Sequence, residues 1–131
     1  MSHDTFEYEL EIQYRDLDPR SHVNHARYVS YLEQAKADFF REVLDTSLTE
    51  PNTAIRHVEV DYEAPIEFDR SVVVSLGPIE TGTTSYTVEY DVVDGDTTVA
   101  SATTVSVLLD DRDQPRPLPD AWRDAIAPYE P

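Results

Sequence analysis

The stretch that decides the fold is Tyr14–Tyr28, which reads Y-R-D-L-D-P-R-S-H-V-N-H-A-R-Y. Two aspartates, Asp16 and Asp18, directly follow an alternating pattern, and an amphipathic pattern opens a few residues beyond Asp18. That spacing sets a carboxylate beside the start of a helix, together with His22, Asn24 and His25. The first N–H groups of a helix have no partner within it and lie at the positive end of its dipole. A carboxylate facing such donors is suited to attack on a carbonyl that they polarise. The same residues also suit a turn and a cap, because Asp-Pro initiates turns and Asp, Ser and Asn are ordinary cap residues. Residue by residue, both readings stand.

Upstream, Phe6, Tyr8, Leu10, Ile12 and Tyr14 alternate with Glu7, Glu9, Glu11 and Gln13, which predicts a half-buried strand over 6–14. Downstream, Tyr28, Leu32, Ala35, Phe39 and Val43 recur at helical spacing, widened by Tyr31 and Phe40, and predict a helix over roughly 25–44. Its stripe is wide, as suits a helix packed against a sheet. Most of these rings read as core; Tyr28 and Tyr31 could instead line a tunnel. A loop is expected over 45–53. Four strand patterns follow, centred on Val58–Tyr62, Val72–Leu76, Tyr86–Val92 and a last strand over about 97–109. Asp94-Gly95 between the last two is a hairpin signal. The last strand carries Val99, Val105, Val107 and Leu109 on one face. Ala100, Ala102, Thr104 and Ser106 on the other would let a neighbour approach closely. The prolines of 110–119 preclude a regular central strand. A short helix over 120–127, anchored by Trp122 and Ile126, is expected after them. The order, strand, long helix, then four antiparallel strands, predicts one α+β domain over 1–131.

The chain carries 27 acidic against 10 basic residues, a net charge of −17, and its only lysine is Lys36. Such a surface repels phosphodiester backbones and argues against nucleic-acid binding. The acids are spread through alternating strands rather than gathered in a tail. Self-repulsion on this scale destabilises the compact state, and molar salt screens it. The composition is similar to that of proteins from extreme halophiles. With no cysteine, disulfides and thiolate chemistry are excluded. No apolar run reaches membrane-spanning length, and the acidic start lacks a signal-peptide pattern, so a cytoplasmic location and no membrane partner are expected.

His22 and His25 are spaced so that a metal could recruit them with Asp16 or Asp18, but no zinc-enzyme motif is present and no metal is expected. There is no nucleophile elbow, and three glycines leave no phosphate-cradling loop. No cofactor is expected. Glu63 and Glu67 flank Pro65, and a carboxylate from a neighbouring subunit could act in the site; the sequence does not choose one.

The string D-L-D-x-x-x-H-V-N-x-x-x-Y resembles the signature of hotdog-fold acyl thioesterases. The D-x-D-P of Asp16–Pro19, with Tyr28 ten residues past the second aspartate, is similar to the 4-hydroxybenzoyl-CoA thioesterase branch. That resemblance implies a catalytic carboxylate at Asp18 and a carbonyl-polarising backbone N–H at His25. The H-V-N segment is closer to plant acyl-ACP thioesterases. Their pattern implies a catalytic role for His22, while Arg20 and His25 depart from it. The segment Arg56–Ile66 extends the likeness more loosely. The resemblance implies a hotdog fold, a curved five-stranded antiparallel sheet wrapped around one long central helix. It further implies hydrolysis of an acyl-CoA or acyl-carrier-protein thioester, and a homodimer or homotetramer with the site at a subunit interface. Asp18 would act as base or nucleophile, His22 would orient a group beside it, Asn24 would brace the loop or cap the helix, and Tyr28 would support the site. The rival readings are a non-catalytic acyl-CoA-binding hotdog protein and a hotdog hydratase or dehydratase. Arg56 or Arg70 could serve the CoA phosphates.

Overall fold

The computed structural model describes residues 3–47 and 51–131. In chain order the elements are β1 (Phe6–Glu11), a 3-10 turn (Tyr14–Asp16), α1 (His25–Glu42), β2 (Asn52–Tyr62), β3 (Ser71–Thr81), β4 (Ser85–Asp94), β5 (Thr97–Leu109) and α2 (Asp120–Ile126). The strands form one antiparallel sheet in the order β1-β3-β4-β5-β2. One long helix lies against it, chiefly over β1 and β3. This is the α+β hotdog arrangement expected from the sequence.

The core forms where the two periodicities meet. Tyr28, Leu32, Ala35 and Phe39 on α1 pack with Val72, Val74 and Leu76 on β3 and Val88, Tyr90 and Val92 on β4, all buried. The small face of β5 points the same way: Ala100, Ala102, Thr104 and Ser106 are buried. Their size leaves room for longer polar groups. The Tyr90 hydroxyl meets Thr104 Oγ1 at 3.2 Å, and Lys36 reaches Ser106 Oγ at 3.4 Å and Glu33 at 2.9 Å. The only lysine is thus a core residue, and none lies on the surface.

Three expectations are corrected. β1 ends at Glu11, because Tyr14–Asp16 winds into a turn. The chain re-enters the sheet at Asn52, before the end of the loop expected over 45–53; residues 48–50 of that loop lie outside the described residues. In β5, Val99 does not face away from Ala100: the register slips between Val92 and Val93, and both Val99 and Ala100 are buried. An extra residue in one strand breaks the alternation locally.

β2 is an edge strand. A register slip between Ile55 and His57 sets Arg56 out of the ladder. Ile55, Val58, Val60 and Tyr62 then pair with Ser106, Thr104, Ala102 and Ala100, and paired residues share a face. Helix-facing apolar side chains therefore run along β2, and α1 covers them only in part, meeting Tyr62 through His25 and Tyr28. Ile55, Val58 and Tyr62 are 45%, 38% and 44% exposed.

The opposite face of the sheet is acidic, with hydroxyls interleaved. Glu7 pairs with Ser75, Ser75 with Asp91, Asp91 with Ser101 and Ser101 with Asp61. Like charges directly opposite destabilise a sheet, and this register avoids them. The hydroxyls also donate: Ser101 to Glu63 and Asp91 at 3.0 and 3.1 Å, and Thr103 to Glu89 at 2.7 Å.

Candidate active site

The loop between β1 and α1 is held from both sides. Asp16 is buried; its carboxylate accepts the Gln13 N–H at 2.9 Å, its carbonyl accepts the Asn24 N–H at 2.8 Å, and Arg27 lies 3.6 Å away. The first aspartate of the motif therefore ties the loop to the helix start. The second sits in a tight turn. The Asp18 N–H donates to the His22 carbonyl at 2.7 Å, and the Asp18 carbonyl accepts from the Ser21 N–H at 3.0 Å. Val23 donates to the Ile66 carbonyl at 2.9 Å, which brings the chain after β2 alongside.

This packing opens a cleft of about 270 Å³ lined by Asp18, Arg20, His22, His25, Tyr28 and Tyr62, with Val23 and the Glu63–Pro65 segment completing its wall. Asp18 Oδ1 accepts the N–H groups of Arg20 at 2.8 Å and His22 at 3.2 Å. Among the described residues, Oδ2 accepts no hydrogen bond and faces the Arg20 guanidinium at 3.8 Å. Burial pushes the Asp18 carboxyl up, but the two N–H donors and the nearby Arg20 and His22 charges outweigh it, and the net shift is below its ordinary value. Asp18 is therefore a charged carboxylate with one oxygen anchored and one presented to the cleft.

The helix start supplies the complementary donor. Asn24 is the N-cap, and its side chain accepts the Ala26 N–H at 2.9 Å. The Arg27 N–H goes to the Asn24 carbonyl. The N–H of His25 has no partner among the described residues. The His25 ring lies against Tyr62, with centroids 4.5 Å apart, and the Tyr62 hydroxyl donates to the His25 carbonyl at 3.0 Å. Tyr28, buried, meets the Tyr62 ring edge-to-face at 4.9 Å. Burial and the neighbouring Tyr62 push the Tyr28 hydroxyl up, so it stays protonated.

Of the five residues singled out in the sequence, Asp18, His22, His25 and Tyr28 line the cleft, and Asn24 caps the helix beside it. The structure distinguishes Asp18 from Asp16, and it shows that His22, a residue of the cleft wall, holds Asp18 through its backbone. Tyr31 is buried but does not line the cleft. Arg70 is committed to Asp94 through bonds of 2.8–3.2 Å, and neither it nor Arg56 borders the cleft. Sequence reasoning missed Tyr62, which sits in the D-Y-E-A-P stretch after a long separation along the chain. Its signal was the apolar alternation of β2, which says which face it shares but not what that face meets. No group of three or more potential metal ligands occurs among the described residues.

Ser21 adopts a left-handed conformation, φ 67°, which side chains with a Cβ adopt at a cost. Ser21→Gly should relieve it and raise stability by about 0.5–1 kcal/mol, read as a higher urea midpoint. An unchanged or lower midpoint would show that the turn carries no strain.

A family model described as the Thioesterase-like superfamily matches residues 12–126. A Thermus thermophilus thioesterase, solved with coenzyme A and Zn, is 31% identical over 95% of this chain and 98% of its own, at a TM-score of 0.86. A predicted thioesterase from Bacillus stearothermophilus superposes at 0.89, with 22% identity over 97% of both chains. The 1,4-dihydroxy-2-naphthoyl-CoA thioesterase of Synechocystis superposes at 0.82, with 19% identity over 95% of this chain and 96% of its own. No curated protein matches the chain by sequence. The chain belongs to the Thioesterase-like superfamily: its fold is the hotdog and its reaction is thioester hydrolysis.

Proposed function

We propose that the protein hydrolyses an acyl-CoA thioester with Asp18 as the reacting carboxylate and the His25 N–H as the oxyanion donor. The observation that carries this reading is the pairing, at one cleft, of a charged carboxylate with one oxygen that accepts no hydrogen bond among the described residues and a helix N–H without a partner among them. The thioester carbonyl oxygen would sit against the His25 N–H, where negative charge develops in the transition state. Asp18 Oδ2 would attack the carbonyl and expel the thiolate, leaving an acyl anhydride that water then opens, or it would take a proton from a water whose oxygen attacks the carbonyl and displaces the thiolate. Asn24 caps the helix so that its first N–H stays aimed, and the Tyr28, Tyr62 and His25 rings wall the acyl site. The coenzyme A bound to the Thermus thioesterase supports CoA over a carrier protein as thiol. Thiol release from a panel of acyl-CoA thioesters, wild type against Asp18→Asn, tests the reading.

A depressed Asp18 pKa has a consequence for pH dependence. The active form is the carboxylate, so activity is lost as pH falls through the folded-state pKa, below the ordinary 3.8. The acid limb of kcat/KM, which reports the free enzyme, is expected below that value. A limb near pH 6 would assign the essential base to a histidine.

The protein is proposed to act as a homodimer, or a tetramer built from such dimers. β2 is an unpaired edge with an apolar strip that α1 covers only in part. Native proteins protect such edges, and a second copy of the same strand is self-complementary to it.

A saline cytoplasm is the second part of the reading. The acidic outer face and the absence of surface lysine support it. The melting temperature and activity are expected to rise between 0.1 M and 2 M KCl, as screening relieves repulsion within the sheet and between subunits. Equal values at both salts would reject halophilic adaptation and leave the catalytic reading intact.

A further inference from the structure

Arg20 is the one fixed cation lining the cleft, in a chain with a net charge of −17. Its side chain is 78% exposed, and among the described residues its guanidinium makes one ion pair, with Asp18 Oδ2 at 3.8 Å, and no hydrogen bond. Exposed ion pairs of that length hold weakly. The arginine is therefore free to leave Asp18 for a better acceptor, and it stands against the oxygen that must be free to react.

Geometry limits what that acceptor is. Attack needs the carbonyl carbon within about 3–3.5 Å of the carboxylate oxygen. Arg20 lies 3.8 Å from that oxygen, so it works close beside the reacting centre. The phosphates of CoA lie a whole pantetheine arm away. The first amide of that arm begins two carbons from the sulfur. The acyl side of the cleft leads toward buried Tyr28, whereas Arg20 faces solvent, the side from which the thiol arm must enter.

Resting on the catalytic reading above, we propose that Arg20 is a specificity-determining residue that donates to the first amide carbonyl of the pantetheine arm. In doing so it leaves Asp18 Oδ2. The thiol part of the substrate is thus recognised by the same movement that uncovers the carboxylate. The same amide occurs in CoA and in carrier-protein thioesters, so Arg20 reads the arm and not the nucleotide.

The test crosses enzyme variants with leaving groups. One acyl group is presented as the thioester of CoA, of N-acetylcysteamine, which keeps the first amide and lacks phosphate, and of propanethiol, which lacks both. Arg20→Gln is expected to lower kcat/KM about tenfold for the first two, the scale of one charge-assisted hydrogen bond. It should leave the propanethiol ester unchanged or raise its rate. An equal loss on all three esters would overturn the proposal, because Arg20 would then act on Asp18 or on the fold. A loss confined to CoA would overturn it in favour of a phosphate contact. Asp18→Asn on the same three esters reports on the carboxylate itself, so a failure of the catalytic reading is separable from a failure of this one.

Discussion

Asp18→Asn is expected to lower kcat for thioester hydrolysis by roughly a hundredfold to ten-thousandfold, the range of an essential acid–base or nucleophilic group. The fold should survive. The carboxamide oxygen can still accept the Arg20 and His22 N–H groups that Oδ1 accepts now, so the turn keeps its anchor. What disappears is the negative charge on the second oxygen, which faces the cleft. A carboxamide is neither a base nor a useful nucleophile at neutral pH. Thiol release at saturating substrate measures the loss, and an unchanged melting temperature confirms that it is chemical. Near-normal turnover would falsify the assignment of Asp18.

Val58→Asp should convert the proposed dimer to a monomer and abolish most activity with it. Val58 lies on the helix-facing side of β2, opposite Thr104, and is 38% exposed in the single chain. In a two-fold interface each substitution appears twice. A carboxylate buried there without a partner costs several kcal/mol, which raises the dissociation constant by at least about a thousandfold. The β2–β5 backbone ladder does not use the side chain, so the circular dichroism of the sheet should persist. Tyr62 is on the same strand and lines the cleft, so loss of the strand's neighbour should disturb the site. Light scattering at high salt, paired with thiol release, measures both effects. A variant that dimerises as tightly as the wild type would remove β2 from the interface.

Local periodicity carried most of the architecture. Alternation in β1, β3 and β4 and the wide apolar stripe of α1 are dictated by neighbours in the chain, and the expected elements match the observed ones within a few residues. The motif segment also marked the candidate site, because one loop and one helix start place Asp18, Asn24 and His25 near one another. Sequence alone also determined the charge, the absence of cysteine chemistry and the small face of β5.

The rest depends on contacts distant in the chain. The D-x-D-P resemblance pointed to Asp18, but the physical difference between the two aspartates comes from the packing of the loop, which buries Asp16 against Gln13 and Asn24 and leaves Asp18 on the cleft. Lys36 read as a mark of surface composition, and only the small side chains across the sheet made room to bury it. Tyr62 became a site residue because β2 runs past the start of α1, and Val99 turned inward because a bulge changed the register. A strand pattern states which side chains share a face. What that face meets is settled by strand order and register, which the chain reaches only through the free energy of the whole packed sheet.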